Sequence, residues 1–281
     1  MQAMAFVLIL SSHVAASRVG GMAQVLALQP FAIDTALVPT VLFGRHPGWG
    51  PPGGAAVAAE TMRGMLEGIE AQGLFALTDA VITGYFSTPE QVAVAHDALQ
   101  RVRAANPAVR IIIDPVLGDE GKGLYVKPEV AAAIRESLVP QADFLTPNRF
   151  ELGWLCGVSP PETAEEAAKL ARRLGKPALV SSIPGGAEEI GVLYADSENA
   201  WLALHAQVDR APNGTGDVLT ALFTAHLIEG QPPEKALVRA ARSVAELVQA
   251  ATLWDAPELP IVALGERLKA PTATIRLLLL S

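Results

Sequence analysis

Five short runs in this chain are apolar at their centres, and each is followed by a longer amphipathic stretch. The runs sit in AFVLIL (5–10), DAVITGY (79–85), VRIIIDP (109–115), ADFLTPN (142–148) and PALVSS (177–182). Continuous apolar runs of this length are strands buried on both faces, which happens when helices cover a parallel sheet on both sides. The intervening segments carry apolar residues three and four apart and read as helices: 53–73, 88–107, 127–141, 149–157 and 163–175. GVLYAD (191–196) and AWLALHAQV (200–208) read as a hairpin, and two late helices follow at 215–230 and 233–251. Strand–helix alternation of this kind specifies an α/β fold with right-handed crossovers. No repeat, linker or low-complexity tract interrupts it, so residues 1–281 are expected to form one domain. The longest irregular segment, GRHPGWGPPGG (44–54), suits a flap over a site or a plain surface loop.

Composition narrows the function. A net charge of −8 argues against nucleic acid or an anionic membrane as the main partner. A bound phosphate would have to be held locally. The apolar opening MQAMAFVLIL lacks the basic start and small-residue cleavage pattern of a secretion signal and reads as a first strand. No run reaches the roughly 18 apolar residues that a membrane span requires. The single cysteine, Cys156, rules out an intrachain disulfide and suits a reducing cytoplasm. Its setting reads as a small buried side chain rather than a reactive thiol.

In an open parallel sheet, ligands bind beyond the carboxyl ends of the strands. The residues just past each expected strand are Ser11-Ser12-His13, Gly84-Tyr85, Asp114, Thr146 and Ser181-Ser182, and PNGTGD (212–217) opens a helix after the hairpin. Six separate segments thus bring polar groups to one rim. In NGTGD the glycines allow close ligand approach, and the helix start offers unpaired N–H groups suited to an anion. Asp217 reads two ways there, as the helix cap or as a base taking a proton from an attacking hydroxyl. DPVLGDEGKG (114–123) sets Asp114 and Asp119 five apart among glycines, as a Mg²⁺ site with retained waters or as a plain turn. Asn148 and Glu151, three apart, could orient metal-bound water or form a capping box.

SSHV (11–14), TVLFGRH (40–46), TGY (83–85), DPVLGDEGKGLYV (114–126), TPNRFEL (146–152) and NGTGD (213–217) occur in the order and spacing of the pyridoxal kinase family, which this chain resembles from about Leu8 to about Ala251. The resemblance implies a ribokinase-like three-layer α/β/α sandwich with a mostly parallel central sheet and a flap over the site. It implies transfer of phosphate from ATP to the 5′-hydroxymethyl group of pyridoxal, with Mg²⁺ and a monovalent cation such as K⁺, in a cytoplasmic homodimer. Asp217 is the base it implies, and Gly214, Thr215 and Gly216 the anion hole. Asp114, Asp119, Tyr125, Thr146, Asn148, Glu151, Ser181 and Ser182 fall on the nucleotide side, with Asp114, Asp119 and Glu151 meeting the metal partly through water. Ser12, Val19, Thr40, Val41, Phe43, His46 and Tyr85 fall on the vitamin side.

The chain departs from the family pattern at Pro47, where a threonine is usual, at Gly21, where asparagine is usual, and at Gly44-Arg45 before His46. These changes bear on which vitamer is preferred. A hydroxymethylpyrimidine-type kinase, or a non-catalytic relative that binds pyridoxal or its phosphate, are the other readings. The presence of Asp217 speaks against the last of these.

Overall fold

The computed structural model describes residues 4–208 and 210–280; the first three residues of the apolar opening lie outside them. The order of elements is β1 (Phe6–Val14), α1 (Gly20–Leu28), β2 (Asp34–Phe43), β3 (Gly54–Ala56), α2 (Ala59–Ala71), β4 (Ala80–Thr83), α3 (Pro89–Ala105), β5 (Arg110–Ile113), β6 (Gly118–Asp119), β7 (Gly123–Leu124), α4 (Pro128–Ala133), β8 (Phe144–Leu145), α5 (Arg149–Cys156), α6 (Ala164–Arg173), β9 (Ala178–Pro184), β10 (Glu189–Ala195), β11 (Ala200–Ala206), α7 (Thr215–Ile228), α8 (Pro233–Leu253) and β12 (Arg276–Leu279).

Ten strands form one sheet in the order β12-β11-β10-β9-β8-β5-β4-β1-β2-β3. The six from β9 to β2 are parallel. The outer pairs on both sides are antiparallel. The two faces are filled by alternating residues of the same strands. In β1, Leu8 and Leu10 join the core under α2 to α6, whereas Val7 and Ile9 join the core under α1, α7 and α8. Each such fully buried aliphatic side chain contributes about 1.5–3 kcal/mol. The result is the three-layer α/β/α sandwich expected from the alternation.

Several differences from the expected elements have physical causes. The stretch 53–73 is not one helix, because its start forms β3 and only Ala59–Ala71 is helical. Gly54 makes this possible. Its φ is +88°, and a Cβ there would stand 1.9 Å from the Leu42 carbonyl oxygen. The stretch 127–141 narrows to a one-and-a-half-turn helix followed by a π-type turn and a 3₁₀ turn ahead of Ala142. The spans that became α1, β2 and β12 gave no clear periodic signal. α1 is short and apolar nearly all round, and β2 carries Pro39 while lying one strand from the edge.

Two consequences position the site. The chain runs from β1 to β2 on one side and then returns to β4 on the other side of β1, so the strand order reverses between β1 and β4. A crevice opens at such a reversal. α7, buried along its whole length from Val218 to Leu227, packs against α1 and presents its first turn to that same rim.

Candidate active site

Asp217 is not the cap of its helix. The capping position belongs to Gly214, in left-handed conformation with φ +91°, and Asp217 is the third helical residue. The first intrahelical bond runs from the Val218 N–H to the Gly214 carbonyl. The N–H groups of Thr215, Gly216 and Asp217 therefore precede the helical ladder. A Cβ on Gly216 would meet open space, so the approach to these amides is clear.

The Asp217 carboxylate reaches across to α1, where Oδ2 accepts the Gly20 N–H at 2.8 Å. It thus stands between two helix starts, whose dipoles both favour an anion. The residue keeps some surface at the rim, yet burial of its carboxyl group pushes the pKa up to about 6, and the Gly20 N–H offsets part of this. Gly20 cannot be another residue: its φ is +57°, and a Cβ would lie 2.0 Å from Ser12 Oγ. That contact also brings Ser12, at a bulge in β1, beside the same turn. Gly214 is held close in turn, with a Cβ there meeting the Arg18 carbonyl oxygen at 2.9 Å and Val19 at 3.3 Å.

Asp114 and Glu151 form a second acidic group at the rim, near the ends of β5 and β8. Asp114 ends β5 and is buried, and its Oδ2 receives the Thr220 hydroxyl at 3.3 Å. The same hydroxyl lies 2.9 Å from Thr146 Oγ1, tying the ends of β5 and β8 to α7. Burial, then the charges of Glu151 and Asp217, hold the Asp114 carboxyl well above the usual range, against the Thr220 hydroxyl and the Val116 N–H. Val116 reaches that position in left-handed conformation, φ +43°. Such a conformation is unusual for a β-branched residue.

Glu151 Oε1 accepts the Leu117 N–H at 2.7 Å, and Oε2 accepts the Asn148 N–H at 2.8 Å. Asn148 Oδ1 accepts the Glu151 N–H in return, which is a capping box on α5. The capping reading of this pair is therefore realised, and the box also holds the loop before β6, since Asn148 Nδ2 donates to the Gly118 carbonyl at 2.8 Å. Burial raises Glu151 to about 7 despite its three backbone N–H partners.

Asp119 stands apart from this buried pair. It sits half exposed on the β6–β7 hairpin, accepts the Glu120 N–H and lies 3.9 Å from Lys122. It also pairs with Tyr125 and, after burial, is the main reason the Tyr125 phenol is raised above its ordinary value. Among the described residues no three His, Cys, Asp or Glu side chains come together to hold a metal ion. Asp114, Asp119 and Glu151 thus do not form a self-contained metal site. The buried Asp114 and Glu151 are near enough for their charges to interact, and a hydrated divalent ion whose other ligands are phosphate oxygens suits that pair of carboxyl groups.

Ser181 lies beside Asn148 through a parallel bridge, and its N–H donates to the Pro147 carbonyl at 3.1 Å. Ser182 is exposed at φ +63°, where β9 and β10 lose register.

On the opposite side of the crevice, Val19 and Val41 are buried, and Phe43 and Tyr85 keep part of their surface. Thr40 is enclosed, and its hydroxyl donates to the Tyr85 carbonyl at 2.6 Å, so it supports Tyr85 from beneath. The 44–54 segment is an ordered loop closing the β2–β3 hairpin, since the Gly44 and Arg45 N–H groups both donate to the Pro52 carbonyl. His46 accepts the Gly48 N–H at Nδ1, at 3.1 Å. Burial lowers its pKa, Lys122 lowers it further and Glu258 raises it. The charge of His46 therefore interacts with Lys122 of the β6–β7 hairpin and with Glu258 of the segment after α8. Gly21 stands against Leu37, whose Cδ1 would lie 2.3 Å from a Cβ there, so a larger residue requires the Leu37 side chain to move.

Three contributors gave no recognised signal in sequence: Gly20, Thr220 and Glu258. Thr220 was legible in principle, because it lies three residues after Asp217 and so on the same helical face.

A family model described as phosphomethylpyrimidine kinase matches residues 66–260. The chain is 35% identical to pyridoxal kinase PdxY of Corynebacterium diphtheriae, over 94% of this chain and 96% of that one. It is 37% identical to pyridoxal kinase PdxY of Rubrobacter xylanophilus, over 94% of each. Among solved structures it resembles pyridoxal kinase from Leishmania donovani in complex with ADP and pyridoxamine, with a TM-score of 0.90 and 26% identity, covering 98% of this chain and 99% of that one.

Proposed function

The chain belongs to the pyridoxal kinase family, and from that premise we infer that it transfers the γ-phosphoryl group of ATP to the 5′-hydroxymethyl group of pyridoxal, as in vitamin B6 salvage. One observation carries the reading from family to chemistry. Asp217, raised to about 6, shares the first turn of α7 with the open helix-start amides, in a crevice between an apolar slot and a buried acidic pair. A carboxylate there is ionised near neutrality yet close enough in affinity to accept the hydroxyl proton as the phosphoryl group is captured.

The roles divide by side of the crevice. Thr215, Gly216 and the Asp217 N–H would receive the transferred phosphoryl group. Asp114 and Glu151 would meet Mg²⁺ through water, with Asp119 and Tyr125 on the hairpin above the nucleotide and Thr146, Ser181 and Ser182 beside it. Mg²⁺, when bound with ATP, supplies neutralisation of phosphate charge. A monovalent cation such as K⁺ would serve the same acidic region. Ser12, Val19, Val41, Phe43 and Tyr85 would hold the pyridine ring, with Thr40 beneath Tyr85. The His46 loop would exclude water, since an open site hydrolyses ATP. We place this single-domain enzyme in the cytoplasm, where ATP and reduced thiols prevail, and no helix of the described residues is long and apolar enough to cross a membrane. A homodimer fits the sheet edge at the β2–β3 hairpin, where Leu42 of β2 and Trp49 of the connecting loop are exposed.

The test is ADP formation with ATP, Mg²⁺ and, in parallel, pyridoxal, pyridoxine, pyridoxamine or hydroxymethylpyrimidine. Pyridoxal is expected to give the highest kcat/KM. Higher kcat/KM for hydroxymethylpyrimidine would assign the pyrimidine substrate instead, and vitamin binding without ADP release would mark a silent binder. Asp217→Asn is expected to lower turnover by about 10²–10⁴-fold while pyridoxal still binds.

A further inference from the structure

The turn between β1 and α1 supplies both Val19, on the vitamin side, and the Gly20 N–H, which fixes Asp217. What holds that turn comes from the far end of the chain. Glu258, in the segment after α8, is 9% exposed. Its Oε1 accepts the Ser17 hydroxyl, and also the Arg18 N–H at 3.1 Å. Its Oε2 accepts Arg18 Nη1 at 2.8 Å. Two successive residues of the turn are therefore tied to one carboxylate. The next two reach the site: the Arg18 carbonyl and Val19 press on Gly214, and Gly20 donates to Asp217. Since Gly20 is in left-handed conformation, the direction of its N–H depends on the residues before it being held.

We propose that Glu258 is a positioning residue for the phosphoryl transfer, acting through the Ser17–Gly20 turn on the orientation of Asp217 and on the seat of Val19. The proposal rests on the reading of Asp217 as the base. Glu258 itself touches no reacting group. Its Oε1 carries the effect, because that atom holds the backbone. The Arg18 guanidinium pair at Oε2 is half exposed on the arginine side and contributes little.

The experiment compares Glu258→Ala, Glu258→Gln, Ser17→Ala and Asp217→Asn in the ADP-release assay, with melting temperature measured for each. Glu258→Ala is expected to lower kcat by about 10- to 100-fold, the scale set by small misplacements of a reacting group. ATP KM should stay within about twofold, because the proposed ATP contacts at the ends of β5, β8 and β9 do not touch the turn. Glu258→Gln keeps an oxygen that accepts from the Ser17 hydroxyl and the Arg18 N–H, and should restore most of kcat. Ser17→Ala should fall between the two. Wild-type kcat in Glu258→Ala overturns the proposal, as does an equal loss in Glu258→Ala and Glu258→Gln. If Glu258→Ala does not fold, Ser17→Ala decides: a lowered kcat at unchanged ATP KM upholds the proposal, and an unchanged kcat overturns it. Full turnover in Asp217→Asn would sink the base reading instead, and so separates the two failures.

Discussion

Asp217 holds a carboxyl group raised from 3.8 to about 6, chiefly by burial, and the sign of that shift makes two expectations. Between about pH 4 and pH 6 the folded state keeps a proton that the unfolded state has lost. The group therefore costs stability as pH rises through that window, and the cost stays in place above it. Asp217→Asn should accordingly raise the melting temperature at pH 7.5, with the gain shrinking toward pH 4; a loss at pH 7.5 would contradict the shift. If Asp217 is the base, turnover follows the opposite trend, since the base must be ionised: kcat/KM for pyridoxal should fall below about pH 6. Gly216 separates activity from stability in another way. A methyl group there meets no protein atom but fills the space before the amides. Gly216→Ala should hold or raise stability, by up to about 1 kcal/mol, while lowering kcat/KM for pyridoxal. Unchanged kinetics would show that the phosphoryl group sits elsewhere.

The proposed closure of the site belongs to an element rather than to a single residue. The β2–β3 hairpin carries His46, the residue proposed to close the site, and its geometry depends on Gly54, which lies against the Leu42 carbonyl at a φ that other residues avoid. Gly54→Ala should shift the hairpin and leave the main sheet intact, since β3 is fully exposed at the edge. The expected result is a higher KM for pyridoxal and more ADP released without acceptor, at a melting temperature within a few degrees of the parent. Coupled turnover at the parental KM would show that the loop does not gate the site. The helix elements read differently from sequence. α5, α6 and α8 were legible because capping residues or apolar periodicity mark them, and α7 because a glycine-rich start opens a long apolar run. α1 escaped, with nine residues and a left-handed glycine start, because burial on nearly every side erases the amphipathic pattern.

At the scale of the whole molecule, the sheet brings together residues nearly the full chain apart. The Gly20–Asp217 bond spans 197 positions and the Ser17–Glu258 bond 241. Such contacts cannot be read from local patterns, because no spacing along the chain relates Glu258 to Ser17 or Asp217 to Gly20. The outer face of the molecule carries one further expectation. If the sheet edge at the β2–β3 hairpin, with Leu42 and Trp49, is the homodimer contact, sedimentation should give twice the 29.4 kDa chain mass, and Leu42→Lys should give the monomer. A monomeric parent would remove the homodimer from the proposal.

The sequence by itself determined the layered α/β architecture and the rim where chemistry gathers, since buried parallel strands must be apolar throughout and ligands meet such sheets at strand ends. It also picked out Asp217, while leaving open whether that residue caps a helix or serves as a base. Only the tertiary structure closed the first of these: Gly214 takes the capping place because its left-handed backbone is set by Arg18 and Val19 packing against it. It likewise divided the expected acidic cluster into a buried pair, Asp114 and Glu151, and a half-exposed hairpin residue, Asp119. The reason is common to both. Spacing along a chain sets which residues can share a turn, but burial and the partner of each polar atom are properties of elements packed together.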